Sequence, residues 1–205
     1  MIISSAHQPH HRTVLAVDIE GSTARNDRAK ARLRESLYDL VGAALRVGGI
    51  GPHRRDPFVD RGDGLLTLVH PADEVPKTLL LSSVVPLLDR LLTDHNDRYP
   101  ADRFRVRAVV HAGEVCYDRR GPFGEAIDVA CRLLDAVEVK RALRQTATPL
   151  VLVISGDLYL SVVRHGYDGV DPRTFTPLVN LRMSNVWQCG WLHVPGHHAV
   201  ERSAC

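Results

Sequence analysis

Short apolar runs alternate along the chain with longer amphipathic stretches. Thr13–Asp18 (TVLAVD) is apolar until its last residue, the pattern of a buried strand whose final carboxylate emerges at its C-terminal end. Gly21-Ser22-Thr23 follows as a turn and helix start. Leu33, Leu37, Leu40, Val41, Ala44 and Leu45 recur at helical spacing within Arg28–Val47, and Gly48-Gly49 stops the run. Pro57–Asp60 and Leu65–His70 read as short strands around Arg61-Gly62-Asp63-Gly64, because glycines flanking a carboxylate between apolar runs signal a hairpin. Pro76–Leu92 predicts a mostly buried helix. Phe104–Val110 alternates and predicts a strand with one covered face. Gly124–Val137 predicts a helix, Pro149–Ser155 a buried strand, Gly156–Arg164 a helix and Val186–Val194 a final strand.

Strands and helices thus alternate, with one hairpin interrupting the order. That predicts an α/β or α+β fold, one sheet covered by helices on at least one face. One domain is expected over residues 12–195, with flexible tails at 1–11 and 196–205. A chain of 205 residues buries about 70 % of its surface on folding, so its core needs neither disulfide nor structural metal.

Charge narrows the function classes. Lys and Arg number 26 against 24 acidic residues, a net charge of +2, which is too balanced for a nucleic-acid binder. No apolar run is long enough to span a membrane. Met1–Arg12 lacks the basic start and apolar core of a secretory leader. Cys116, Cys131, Cys189 and Cys205 show no CxxC spacing and read as reduced thiols packed as small core residues, which suits a cytoplasmic protein.

Two carboxylates stand out. Asp18 ends the first strand and Asp63 sits at the hairpin tip. If the strands are neighbours, both side chains converge on one point and suit Mg²⁺ or Mn²⁺. The plainer alternative makes Asp18 a helix cap and Asp63 a turn residue. On the helix at Gly124–Val137, Ile127, Ala130, Leu134 and Val137 share one side, while Asp128 and Arg132 fall together on another. By themselves these two read as an exposed ion pair worth ~0.2–0.5 kcal/mol.

Taken in order, the pieces resemble the catalytic domain of class III nucleotidyl cyclases, the adenylate and guanylate cyclases. Asp18-Ile19-Glu20-Gly21-Ser22-Thr23 resembles that family's D-I-x-G-S/F-T motif, and Gly62-Asp63-Gly64 its G-D-G hairpin. Arg107-Ala-Val-Val-His111-Ala-Gly113-Glu-Val115 resembles the R-x-G-I/V-H-x-G-x-V strand. Gly124 through Asp128, Ala130, Arg132 and Leu133 resembles the G-x-x-V-N-x-A-x-R-L/M helix. The matches run from about residue 13 to 135; beyond that only the strand-then-helix pattern agrees.

The resemblance implies a ferredoxin-like sandwich with a central mixed or antiparallel sheet covered by helices. It implies a homodimer with shared active sites acting on a nucleoside triphosphate. Asp18, Asp63 and the Ile19 carbonyl would hold two Mn²⁺ or Mg²⁺ ions. Asp128 and Arg132 would come from the other subunit, Arg132 stabilising charge on the α-phosphate. Asp128 stands where the family has Asn; an ionised Asp accepts a ribose hydrogen bond but donates none. Gly21, Ser22 and Thr23 would line the substrate. Val59 and Gly121 occupy the base-reading positions and carry neither the adenine nor the guanine code. Arg54, Arg55 and Phe58 are further candidates for base contact, and Arg182, in a polar turn before the last strand, for the family's late triphosphate-binding lysine.

The absent purine codes make the chain most similar to bacterial pyrimidine cyclases of antiphage defence, the Pycsar type. These convert UTP or CTP to the cyclic monophosphate that activates a separate effector. The alternative is a degenerate cyclase-like domain that binds a nucleotide or a protein partner without turnover. A GGDEF-type relative is set aside because no GG(D/E)EF run is present. His7, His10, His11, His197 and His198 read as incidental terminal histidines, and His111 as a packed core histidine. Trp187 and Trp191, four apart, read as core or dimer packing on one face.

Overall fold

A computed structural model describes residues 8–167, 169–183 and 186–196. Its centre is strand β1 (His10–Ile19), buried from Thr13 to Val17. β1 lies between β3 (Gly64–Val69) and β4 (Val106–Asp118), antiparallel to both. The two-residue β2 (Val59–Asp60) lies outside β3. On the far side β4 runs parallel to β6 (Leu150–Ser155), followed by β8 (Val186–His193) and β7 (Phe175–Met183). The order β2-β3-β1-β4-β6-β8-β7 makes a mixed sheet, with β5 (Gly121–Phe123) folded back on the end of β4.

Alternation of side chains divides the strands between two cores. Leu15, Val17 and Ile19 face one core, covered by α1 (Asp27–Val47), α3 (Val85–Arg98) and α6 (Gly156–Ser161). Val14 and Ala16 face the other, covered by α4 (Glu125–Asp135) and α5 (Val137–Gln145). The expected sandwich of a mixed sheet and helices is therefore present, with helices on both faces.

Several expectations need correction. β4 has both faces covered: Val106 through His111 are all buried, because α4 packs over the positions assigned to solvent. His10 and His11 belong to β1, opposite Val115 and Glu114, so the tail expected over 1–11 yields its last two residues to the sheet. The helix expected at Pro76–Leu92 starts as α2 (Lys77–Leu79), passes through a π turn at Leu80–Val84 and continues as α3 to Arg98. Pro86 lacks an N–H, and the wider turn immediately before it absorbs the break in the ladder. Arg182 lies in β7 opposite Trp187, not in a turn. Trp191 stacks on Tyr159 at 3.4 Å, whereas Trp187 is 69 % exposed and outside the core. His7, His197, His198 and Cys205 lie outside the described residues.

His111 is a packed histidine, as expected. Its Nδ1 lies 2.7 Å from the Ser155 hydroxyl, and the same oxygen accepts from the Leu158 N–H to cap α6. Burial holds the imidazole below its usual pKa, with the charges of Asp157, His11 and Lys77 as smaller influences. The unfolded chain therefore takes up this proton more readily, so the contribution to stability is lost as pH falls below the ordinary histidine value of about 6.5. In urea melts between pH 7.5 and 5 the wild type should lose stability relative to His111→Asn as pH falls, since Asp18, pushed up to about 6, contributes with the opposite sign in both. An equal slope in both proteins would remove His111 from the titration.

Candidate active site

The end of β1 delivers Asp18 on the α4–α5 side of the sheet, directly opposite Gly64 of β3 and Arg107 of β4. The hairpin fixes Asp63 beside it. Ile19 donates its N–H to the Asp63 carbonyl at 3.1 Å, and Arg61 donates its N–H to the Gly64 carbonyl at 3.0 Å. Gly62 adopts φ +80°, a left-handed turn conformation that a side chain would strain. Asp60 accepts from the Gly62 N–H at 2.8 Å and pairs with Arg34 of α1 at 2.7 Å. These bonds, Arg34's first, hold the Asp60 carboxyl down to about 2. Gly64 permits the close approach: a Cβ there would lie 2.4 Å from the Val17 carbonyl oxygen and 3.0 Å from an Asp18 carboxylate oxygen.

The Asp18 and Asp63 carboxyls lie close enough for each to affect the other's titration. Asp18 also pairs with the Arg107 guanidinium, and Asp63 accepts from the Ser22 hydroxyl. Burial pushes the Asp18 carboxyl up to about 6; Arg107 opposes this, while Asp63 adds to it. Burial also raises Asp63, but its hydrogen bonds and the charge of Arg107 bring the net below the usual carboxylate value. Asp18 caps no helix; Asn26 does that for α1, accepting from the Ala29 N–H at 3.0 Å.

Two cavities flank Ser22 and Asp63. One, of about 390 Å³, is lined by Ile19, Thr23, Lys30, Leu33, Arg34 and Gly62 in addition to those two. The other, of about 260 Å³, runs from Gly21–Thr23 past Arg107 to Lys140 and Arg144 of α5. The structure thus brings together Asp18, Ile19, Gly21, Ser22, Thr23 and Asp63. It does not bring Asp128 or Arg132 to them. Both are exposed on α4, line neither cavity and form no ion pair with each other. Val59 lies on β2, and Gly121 at the start of β5 with φ +132°. Phe58 packs edge-on to Tyr38 beneath Arg55, and Arg54 pairs with Glu74 at 3.1 Å. Neither Phe58, Val59 nor Gly121 lines either cavity. Burial raises the thiol pKa of Cys131 and Cys189, which suits packing rather than nucleophilic chemistry.

Five contributors were not legible in the sequence: Arg107 as the partner of Asp18, Lys30 and Arg34 beside Asp63, and Lys140 and Arg144 of α5. Arg107 stood in a quoted motif, but only the β1–β4 register reveals what it pairs with.

The donor set fits a hard divalent cation. Two carboxylates converge in a half-buried pocket, Asp18 from the end of β1 and Asp63 from the hairpin, and both offer hard oxygen donors. Among the described residues no group of three or more His, Cys, Asp or Glu side chains could hold a metal. A cation here would complete its shell from main-chain oxygen, water and substrate phosphate, as Mg²⁺ commonly does.

No family model matches the chain, and no curated protein matches it. Solved structures do, at low identity. An adenylate/guanylate cyclase/hydrolase from Silicibacter pomeroyi superposes with TM-score 0.63 at 17 % identity, over 93 % of this chain and 99 % of the other. The adenylyl cyclase CyaB from P. aeruginosa gives 0.64 at 11 %, covering 95 % and 98 %. The guanylyl cyclase Cya2 gives 0.61 at 12 %, covering 92 % of each. The fold is that of class III nucleotidyl cyclase domains. No helix among the described residues is long and apolar enough to cross a membrane.

Mn²⁺ should raise the melting temperature of the wild type, because a ligand of the folded state stabilises it by mass action. Asp63→Asn should abolish that rise while leaving the circular dichroism spectrum unchanged. An equal rise in the variant would move the metal elsewhere.

Proposed function

We propose that this protein is a divalent-metal-dependent nucleotidyl cyclase that converts UTP or CTP to the 3′,5′-cyclic monophosphate and pyrophosphate. The observation that carries the reading is the convergence of Asp18 and Asp63 at the ends of neighbouring strands. The solved neighbours include the guanylyl cyclase Cya2 and the adenylyl cyclase CyaB, which supports cyclisation as the chemistry. The pyrimidine choice is supported by Val59 and Gly121, which lack the purine-reading side chains.

In the reaction the ribose 3′-oxygen attacks the α-phosphorus. The bond from that phosphorus to the bridging oxygen of the β-phosphate breaks, pyrophosphate leaves with the bonding electrons, and the 3′-hydroxyl proton is lost. Two Mn²⁺ or Mg²⁺ ions supply, when bound, the charge that favours loss of this proton and offsets that of the triphosphate. Asp18, Asp63 and the Ile19 carbonyl hold them. Arg107 keeps Asp18 oriented, and Ser22 does the same for Asp63. The main chain of Gly21–Thr23 borders the phosphates.

Asp128 orients the ribose, and Arg132 stabilises the charge growing on the α-phosphate. Their exposed position on α4 supports supply from a second copy of the chain, so the active unit is a homodimer with shared sites. The cyclic product then acts on a separate responsive effector, as in antiphage signalling.

Purified protein with Mn²⁺ and each of ATP, GTP, CTP and UTP should yield a cyclic pyrimidine monophosphate by mass spectrometry, and Asp63→Asn should yield none. A cyclic purine product would overturn the base assignment. No product from a folded dimer would favour a binding domain without turnover. Arg132→Ala should lower kcat about 10²–10³-fold, the scale of one lost transition-state donor. Mixing Asp63→Asn with Arg132→Ala should restore part of the activity; heterodimers that stay inactive would count against shared sites.

A further inference from the structure

The resemblance leaves the triphosphate-binding cation unfilled, and Arg182, its candidate, sits in β7 and does not line the cavity beside Asp63. α5 presents cations there instead. Val139 and Leu143 of this helix are fully buried in the second core. Lys140 and Arg144 follow each of them by one residue. They therefore share a neighbouring stripe, one helical turn apart, and both line the 260 Å³ cavity.

Three cations border this cavity. Arg107, only 8 % exposed, gives Nη2 to Asp18, while its Nε is buried with no partner among the described residues. Lys140 pairs with Asp135 at 3.1 Å at a partly exposed position. Arg144 is exposed and forms no ion pair among the described residues. Of the acidic lining residues, Glu20 is taken up by Arg105 at 3.3 Å, and Asp63 faces Ser22 and Asp18. Pockets that enclose whole drug-sized ligands run to roughly 300–1,000 Å³. This one suits a fragment of a nucleotide, and its cations select the phosphate chain.

We infer that Lys140 and Arg144 hold the terminal phosphates of the nucleoside triphosphate, and then the departing pyrophosphate, on the same chain that supplies Asp18 and Asp63. The inference rests on the cyclase reading. When the phosphoanhydride bond breaks, its electron pair passes to the pyrophosphate oxygen, and cations beside that oxygen stabilise the charge it gains. Guanidinium adds a bidentate grip on phosphate, whereas Lys acts as a point charge.

Calorimetric titration with inorganic tripolyphosphate and with pyrophosphate, at saturating Mn²⁺, tests this. Lys140→Gln and Arg144→Gln should each weaken Kd roughly tenfold and the double variant about a hundredfold, the scale of single charge-assisted hydrogen bonds. Lys140→Arg should restore binding. Asp135→Asn, which breaks the Lys140 ion pair without removing the cation, should bind at least as tightly as wild type. Arg141→Gln, on the same helix but outside the cavity, should bind like wild type. In a turnover assay the double variant should raise KM for the triphosphate.

A double variant that binds tripolyphosphate like the wild type would overturn the inference, as would a wild type that binds none. Wild-type binding that is weakened as expected in the variants, with no cyclic product from any triphosphate, would sustain the polyphosphate site and remove the cyclase reading. Cyclic product with binding and KM unmoved would do the reverse.

Discussion

Asp18 and Asp63 are carboxylates set side by side by neighbouring strands, and repulsion between like charges is several times stronger in a half-buried pocket than in water. The pocket tolerates them through three devices. Arg107 reaches across from β4 to Asp18, Ser22 donates to Asp63, and the charge of Arg107 also favours the ionised Asp63. Each device requires a backbone placement. β1 must end opposite Arg107, the hairpin must return Asp63 to the Ile19 N–H, and Gly64 must leave room for the Val17 carbonyl and the Asp18 carboxylate. The buried, two-sided β1 is what keeps these three elements in register. Its core residues therefore serve the site as much as the fold.

That logic explains what could be read from the chain and what could not. β1 and the hairpin were legible because local pattern encodes them: an apolar run ending in a carboxylate, and glycines around another. α1 was legible from its leucine period and its Gly48-Gly49 stop. α5 was missed because its nine residues bury only Val139 and Leu143, too few to show a helical period, and the helix expected over Gly124–Val137 stopped at its first residue. β7 was hidden by Pro177 and the irregular register beside it, and β5 by its three-residue length. The covered second face of β4 was not visible either, since Arg105 and Arg107 look like solvent-facing positions until Asp18 and Glu20 are found opposite them. The site's cations belong to the same class of information. Lys140 and Arg144 lie far from Asp63 in sequence and meet it only because α5 packs against the sheet at that end.

Arg132 is exposed, and an exposed guanidinium is strongly screened by water. The same group becomes a strong stabiliser of developing negative charge only where water is excluded. On the proposed reading, this separates binding from chemistry. A single chain already places two carboxylates and three cations around the phosphate cavity, which is enough to hold a metal–polyphosphate. It does not place Arg132 or Asp128 there. Covering the α4 face with a second copy would complete the constellation and desolvate it in one step. Turnover would then follow the concentration of dimer, whereas polyphosphate affinity would follow the chain itself. Dimerisation could in that case gate the reaction with no conformational change inside either subunit.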